Sequence, residues 1–488
     1  MYRPILFVAL LCTLAAFASA QTASSVQANA TNVRQEEVIS RIVGDAFTSR
    51  GAAAFLQTLT DQVGGRVTGS SQSQAASELI LRALKDAGYD SAHFEEFAIQ
   101  SAWRRGQAVG EIVGPIRFHL QVGSYGWVPG TNGRVNAQVV DLGKPQTNDL
   151  PNRKDSLRGA AAIVEVHYIG DAPPSVMRAA IAVELARAGA TAMLIPSDKP
   201  GRMLYTSASG LYPRAPLPIV SIGKEDTALL RRLLVRGPVT IALDVNNSFE
   251  QPQWSERNVV AELAGQDPKE VTLLGAHFDS WDLAQGADDN GTGVAAVLET
   301  ARILKRLGVK PRTTIRFAFF SGEEEGYLGS RAYVEQHKAE LGNLRAFLLM
   351  DSGAQLPLLF YTNGREDVAS AARPVLRLLA PLGISDVTDD VGMESDNATF
   401  MTVGVPCLGL YVARGDYDTR HHAVTDTFDN VNLQLLGQDT AVMAAASWLV
   451  ANDESRLAPL QSLPEIRELF RKTELESTHD LLFGPFPK

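Results

Sequence analysis

Acidic residues and histidines follow several predicted strands in the second half of the chain, at the points where the strands end. Apolar runs at 271–276, 314–320, 346–350 and 405–412 predict these strands. The residues that follow them, or that precede the next helix, are His277, Asp279, Asp288, Asp289, Glu323, Glu324, Glu325, Asp351, His421 and His422. Because functional groups gather at the carboxyl ends of strands in an open α/β sheet, we expect these side chains to lie close together.

Imidazole and carboxylate are the side chains that bind zinc, and a catalytic zinc site keeps one position open for water. Each motif alone is weak evidence, because His-x-Asp is more often structural and a pair of glutamates usually lies on a solvated surface. Together, a bridging aspartate, two histidines and two further carboxylates can hold two zinc ions and offset their charge. The pattern therefore predicts a centre with two zinc ions per chain.

The segments around these residues predict the architecture that positions them. From residue 258 to 452, continuous apolar runs alternate with segments of helical periodicity, such as 293–307 and 433–450. Strands that are buried on both faces have unbroken apolar runs and need helices to cover them. We therefore predict an α/β fold with a mostly parallel mixed sheet that is flanked by helices.

The segment from 114 to 248 has a different texture. Short β-rich runs at 160–166, 190–195 and 217–222 alternate with Gly and Pro, and a helix is predicted at 175–188. At roughly 150 residues per domain, the 488 residues of the chain suggest about three units. Nothing in this segment has metal-ligand spacing, so we predict that it is a β-rich insert in the domain that carries the metal centre.

The first twenty residues have the features of a signal peptide. Arg3 supplies the positive start, residues 5–17 form a short apolar run, and Ala18-Ser19-Ala20 offers small residues for cleavage. We therefore predict a protein exported to the periplasm, the medium or an endomembrane lumen, with no membrane attachment after cleavage. A retained membrane anchor is the alternative.

Charge and cysteine content limit the classes of partner and of covalent structure. A net charge of −10 provides no general attraction for nucleic acid or anionic lipid, so neither is expected as a partner. After cleavage Cys407 is the only cysteine, and a single cysteine forms no intrachain disulfide. It stands in an apolar run that predicts a buried strand, where cysteine acts as a small hydrophobic residue.

The segment from His277 to His422 resembles the co-catalytic zinc exopeptidase family of the bacterial zinc aminopeptidases and carboxypeptidase Q-like enzymes. The motif that carries the resemblance is His-Phe-Asp-Ser-Trp-Asp at 277–282, followed by Gln-Gly-Ala at 285–287. The resemblance extends to 65–70, to 103–106 and across the insert, which resembles a protease-associated domain. It implies a signal peptide at 1–20, an N-terminal part of the peptidase domain at 21–113, the insert at 114–248, a catalytic domain at 249–455 and a tail at 456–488.

The resemblance also implies a role for each position. Asp289 is the bridging ligand rather than Asp288, because it directly precedes Asn-Gly-Thr-Gly. His422 is a ligand rather than His421, because it stands four residues before Asp426 and the following threonine. The implied grouping is His277, Asp289 and Asp351 on one metal ion and Asp289, Glu324 and His422 on the other, with Glu323 as the general base.

Other positions receive looser roles from the resemblance. Asp279 is expected to orient the ring of His277, and a cis peptide bond is expected after Asp289. His421 either donates a hydrogen bond to the oxyanion or is a packed or exposed ring. Asp396 is a candidate second-shell or substrate-contacting residue, although the next residue is Asn397 where many relatives carry His. Trp281 either forms the floor of the substrate pocket or belongs to the core.

The resulting hypothesis is an exopeptidase that hydrolyses dipeptides or short peptides with metal-activated water, as carboxypeptidase Q-like enzymes do. An aminopeptidase would share every ligand and is the runner-up. A glutaminyl cyclase uses a similar fold, but it needs one zinc ion and usually lacks the insert. A non-catalytic binding protein would have lost ligands, whereas all five and Glu323 are present. The expected partner is a peptide substrate, and the resemblance implies a possible homodimer.

Overall fold

The computed structural model describes residues 35–166, 174–250 and 254–487. The predicted signal peptide at 1–20 lies outside the described residues. Within the described ranges, the helices are all too short or too polar to cross a membrane.

The chain forms two large sheets and their covering helices. The strands are β1 His93–Ile99, β2 Ala102–Arg104, β3 Ala108–Gly114, β4 Phe118–Leu120, β5 Val122–Ser124, β6 Val135–Asp141, β7 Ala161–Ile163, β8 Ala192–Pro196, β9 Ile219–Ile222, β10 Thr240–Val245, β11 Ser248–Glu250, β12 Trp254–Leu263, β13 Asp267–His277, β14 Thr313–Phe320, β15 Leu344–Leu349, β16 Pro357–Tyr361, β17 Asp386–Thr388 and β18 Cys407–Val412. The helices are α1 at 35–48, α2 Gly51–Gln62, α3 Ser71–Asp86, α4 Lys154–Leu157, α5 Pro174–Arg187, α6 Lys224–Leu234, α7 Thr292–Arg306, α8 Leu328–Gln336, α9 Glu366–Leu376, α10 Asn397–Thr402, α11 Tyr417–Arg420, α12 Leu433–Asn452, α13 Leu463–Lys472 and α14 Glu476–Phe483.

The first sheet confirms the predicted α/β fold. Its strand order is β1-β12-β14-β13-β15-β18-β16-β17. The central strands β14, β13, β15 and β18 are parallel neighbours, while β12 and β16 pair with this core in the antiparallel sense. The parallel strands all end at the same edge, and this edge is where the predicted ligands stand.

Helices cover both faces of the first sheet. The hydrophobic core on one face joins α7 and α12 to the sheet, and the core on the other face includes Tyr333 of α8 and Phe400 of α10. Helix α12 begins at a defined point, because the Asn432 side chain accepts hydrogen bonds from the Gln434 and Leu435 amides. Its alanines are buried, so α12 packs closely on α7 beneath the metal-centre edge.

The second sheet is formed by the chain between β3 and β10. Its strand order is β4-β3-β10-β6-β7-β8-β9-β5, and it has hydrophobic cores of its own. The predicted strands at 160–166, 190–195 and 217–222 correspond to β7, β8 and β9, and the predicted helix corresponds to α5. We call residues 108–245 the insert; the domain boundaries 114–248 and the protease-associated character stay predictions.

Replacing Phe317 by Ala is expected to lower the free energy of unfolding by about 3–5 kcal/mol. The side chain is fully buried in β14, and its ring meets the edge of Tyr89 at 5.6 Å between centroids. Truncation leaves a cavity that the close-packed core cannot fill. Equilibrium denaturation of the variant measures the loss, and Val235→Ala is the control because Val235 is 89% exposed. A loss equal to that of the control would contradict the expectation.

Candidate metal centre

The predicted ligands lie together at the carboxyl ends of the parallel strands. His277 is the last residue of β13, Glu323 and Glu324 follow β14, and Asp351 follows β15. His422 comes from the loop after β18 and α11, while Asp289 lies in the turn just before α7, where its backbone is not helical. The shared edge of the parallel core brings these side chains together from separate parts of the chain.

Asp289 stands between two histidines. The Nε2 atom of His277 lies 3.4 Å from Asp289 Oδ1 and 3.4 Å from Asp351 Oδ1. The Nε2 atom of His422 lies 3.2 Å from Asp289 Oδ2 and 3.0 Å from Glu324 Oε2. The two carboxylate oxygens of Asp289 therefore face different histidines, and each histidine has a further carboxylate beside it.

These separations fit zinc. Ligand atoms that bind one tetrahedral zinc at about 2.0–2.1 Å lie roughly 3.3 Å apart. His277, Asp289 and Asp351 form a cluster whose ligand atoms all lie within 4.8 Å of one another. Glu324 Oε1 is buried without a hydrogen-bond partner among the described residues, so this oxygen is free for a cation. The nitrogen and oxygen donors present are those that a zinc ion takes.

Charge within the cluster supports the bridging position of Asp289. Burial alone would raise the pKa of Asp289, but hydrogen bonds from His277 and His422 hold the pKa well below its usual range. The carboxylate is therefore ionised, which is the state in which it can offset positive charge on two sides.

Asp279 ties the first ligand to the acidic pair. The Nδ1 atom of His277 lies 3.1 Å from the backbone oxygen of Asp279 and 3.5 Å from its Oδ1 atom. The same carboxylate accepts hydrogen bonds from the backbone amides of Glu323 and Glu324 at 3.2 Å each. Asp279 is thus placed to orient both the ring of His277 and the start of the acidic loop, as a histidine ligand requires.

The loop that carries Asp289 is held by partners on both sides. Asp288 pairs with Arg420 at 2.8 Å and accepts the Ala354 amide, so its carboxylate is engaged away from the histidines. Asp426 accepts the amide of Asp288 at 2.6 Å and that of Asp289 at 3.3 Å. The predicted cis bond between Asp289 and Asn290 is present. In the sequence analysis, Asp426 was used only to locate the histidine ligand. Its acidic side chain near a pair of histidines was the feature from which this role in holding the loop could have been predicted.

Glu323 is buried beside the ligand cluster. Burial raises the pKa of Glu323 well above its usual range; His277 opposes the rise, and the neighbouring Asp351 and Glu324 add to it. A glutamate whose carboxylate is destabilised in this way takes up a proton more readily, which suits a general base. The role of Glu323 as the base stays a prediction.

His421 lies farther from Asp289 than His422 does. Its Nε2 atom lies 3.7 Å from Asp289 Oδ2, and its ring stacks on that of His422 at 3.9 Å between centroids. Asp289, His421 and His422 therefore form a second possible ligand group. His422 fits a ligand better, since it lies nearer to Asp289, is more buried and also reaches Glu324. The role of His421 towards an oxyanion stays a prediction.

Asp396 is buried near the centre, while Asn397 has a structural task. Burial raises the pKa of Asp396 to about 7, and the nearby His277 and Ser330 oppose the rise. Asn397 donates hydrogen bonds to the Tyr361 hydroxyl and to other loop acceptors, so it ties loops together rather than facing the ligands. Contact of Asp396 with substrate stays a prediction.

Trp281 belongs to the core, and its role as the floor of a substrate pocket stays a prediction. It packs in a buried aromatic cluster, and its Nε1 atom donates a hydrogen bond of 2.6 Å to Glu324 Oε2. It also lines a small cavity at the metal centre. The other residues that line this cavity are Leu283, Ala284, Asp289, Glu324, His422, Ala423 and Asp426.

Known proteins share this fold and sequence pattern. The structure has a TM-score of 0.78 with the peptidase M28 precursor from Shewanella amazonensis, at 29% identity, covering 88% of this chain and 99% of that one. A zinc aminopeptidase from Bacillus subtilis shares the fold with a TM-score of 0.65 at 21% identity, covering 85% and 98%. Carboxypeptidase Q from Xenopus laevis is 28% identical over 410 residues, which cover 82% of this chain and 86% of that protein. Fold and site together define a zinc-dependent metallo-exopeptidase.

The catalytic segment matches a family model. Residues 258–447, which contain all five predicted ligands and Glu323, match peptidase family M28. Together with the similarities above, this match supports a zinc exopeptidase family for the chain.

Proposed function

We propose that this protein is an exported exopeptidase with two zinc ions per chain, which releases residues from dipeptides or other short peptides in the manner of carboxypeptidase Q. The observation that carries the proposal is the position of Asp289. One of its oxygens faces His277 beside Asp351, and the other faces His422 beside Glu324. This arrangement supports two adjacent cation sites that share one carboxylate.

Each residue then has a task in peptide hydrolysis. When bound, zinc ions polarise the scissile carbonyl and lower the pKa of the attacking water. His277 and Asp351 would hold one ion, His422 and Glu324 the other, and Asp289 both. Glu323 accepts the proton of the water and returns it to the departing amine.

A short substrate is supported by the similarity to carboxypeptidase Q. Export is supported by the signal-peptide pattern at 1–20, and its test is whether the exported protein begins at Gln21.

A panel of dipeptides with either the amino or the carboxyl end blocked tests the proposed specificity. Substrates with a free carboxyl end and a blocked amino end should be cleaved, and those with the reverse blocking should not. Cleavage that requires the free amino end would identify an aminopeptidase on the same metal centre. Release of ammonia with cyclisation of an amino-terminal glutamine would identify a glutaminyl cyclase.

Removal of metal is expected to abolish activity, and added zinc is expected to restore it. Elemental analysis of the reconstituted protein should approach two zinc ions per chain, because five ligands with a shared aspartate are present. A protein that is fully active with one zinc ion per chain would contradict the proposed centre. Sedimentation of the same sample tests the predicted homodimer.

A further inference from the structure

The two histidine ligands are held in different ways. His277 has a partner for its second ring nitrogen, since Nδ1 lies 3.1 Å from the Asp279 backbone oxygen. The Nδ1 atom of His422 is buried and has no hydrogen-bond partner among the residues that the structure describes. A histidine ligand normally has its orientation fixed through that nitrogen. The ring of His422 must therefore be oriented by packing and by its backbone.

Backbone contacts from the insert hold His422 in place. Its φ is +56°, a left-handed conformation that is uncommon for residues other than glycine and needs support from neighbours. The backbone amide of Thr206 donates a hydrogen bond of 2.9 Å to the backbone oxygen of His422. Tyr205 and Ala423 form a β-bridge directly beside it. The insert thus pairs with the backbone at the ligand and at the residue that follows it.

Aromatic rings hold the side chain of His422. The ring of Tyr205 packs against that of His422 at 5.5 Å between centroids. The ring of Trp281 meets it edge-on at 6.1 Å. Tyr205 belongs to the insert and Trp281 to the catalytic segment, so His422 is packed between the two parts of the chain.

Trp281 also holds the carboxylate that accompanies His422. Its Nε1 atom donates 2.6 Å to Glu324 Oε2, the same oxygen that faces His422. The insert packs against this indole at Gly126, where an added Cβ would lie 2.3 Å from the Trp281 ring. Only a glycine lets the insert approach so closely. The insert therefore supports the position of Glu324 through Trp281, and it supports the position of His422 through Tyr205.

We propose that Tyr205 and Trp281 are positioning residues through which the insert sets the affinity of the His422–Glu324 metal site, leaving the His277–Asp351 site unaffected. The latter pair takes its support from Asp279 and the ends of β13 and β15. The inference rests on the proposed centre of two zinc ions. It makes the insert a structural part of one metal site.

Zinc titration against a competing chelator tests this proposal in the full-length protein. Tyr205→Ala should weaken zinc binding at the His422–Glu324 site by about 10–100-fold, as loss of an orienting partner does. Zinc affinity at the His277–Asp351 site should remain unchanged. Tyr205→Phe keeps the ring and should retain native affinity for both ions. Trp281→Phe keeps most of the packing but loses the N–H group. It should therefore also weaken zinc binding only at the His422–Glu324 site.

The control is Ile116→Ala, a change at a half-exposed position of the insert. It should bind both ions like the native protein. If native protein binds two zinc ions and both Tyr205→Ala and Trp281→Phe bind them with native affinities, the inference is wrong while the proposed function stands. Equal weakening of zinc binding at both sites would also contradict the inference, because Tyr205 and Trp281 would then contribute only to general stability. Native protein that binds one zinc ion would overturn the proposed centre itself, and the inference with it.

Discussion

Replacing Glu323 by Gln is expected to lower kcat by about two to four orders of magnitude, the contribution typical of general acid–base catalysis. The amide has nearly the same shape as the carboxylate but cannot accept the proton of the attacking water. Zinc content should stay at the native value, because the metal ligands are other residues. Steady-state kinetics and elemental analysis of the same preparation measure the two quantities.

Glu325→Gln is the matched control for this experiment. Glu325 is adjacent in sequence, and burial raises its pKa well above the usual range, with Asp279 adding to the rise and Thr68 opposing it. Glu325 is neither a predicted metal ligand nor the predicted base, so an amide of nearly the same shape should leave kcat close to native. Near-native turnover in Glu323→Gln would remove Glu323 from the role of base.

Replacing Asp289 by Asn is expected to remove bound zinc from both sites and to reduce activity to the background rate. Its two oxygens face His277 and His422 at 3.4 and 3.2 Å, so one substitution affects both clusters. The amide carries no charge and offers only one oxygen. Metal analysis after dialysis, together with kcat, measures the effect, and retention of two tightly bound ions would contradict the bridging role.

Asp288→Asn separates this effect from general damage to the loop. Asp288 pairs with Arg420 in a buried ion pair, so the variant should lose about 3–5 kcal/mol of stability, the usual result of removing one partner. Folded Asp288→Asn should nevertheless bind zinc, because its carboxylate faces away from the histidines. Comparison of thermal unfolding and zinc content in the two variants distinguishes a ligand from a structural acid.

Much of the first sheet was predictable because its strands have a simple signature. The run 346–350 is apolar at every position and 271–276 is interrupted only by Thr272, a pattern typical of strands that are buried on both faces. The apolar pattern did not predict that β1, β12 and β16 are antiparallel to their neighbours, because the direction of a strand depends on the path of the chain. From the sequence, 456–488 was assigned as a tail, whereas its helices α13 and α14 pack on Tyr327 and Met393 in a small core.

The sequence by itself determined which residues could hold metal ions, because coordination chemistry admits few side chains and strand ends bring them to one edge. Type and spacing left neighbouring candidates such as Asp288 and His421 open, and the resemblance to the zinc exopeptidase family selected His277, Asp289, Glu324, Asp351 and His422 among them. The tertiary structure decided what orients them. Tyr205 and Trp281 are aromatic residues of a kind that fills any core, so their type carries no sign of the ligand beside them. The contact of Tyr205 with His422 exists only because the insert folds back onto the catalytic loop, and no local sequence pattern predicts that path.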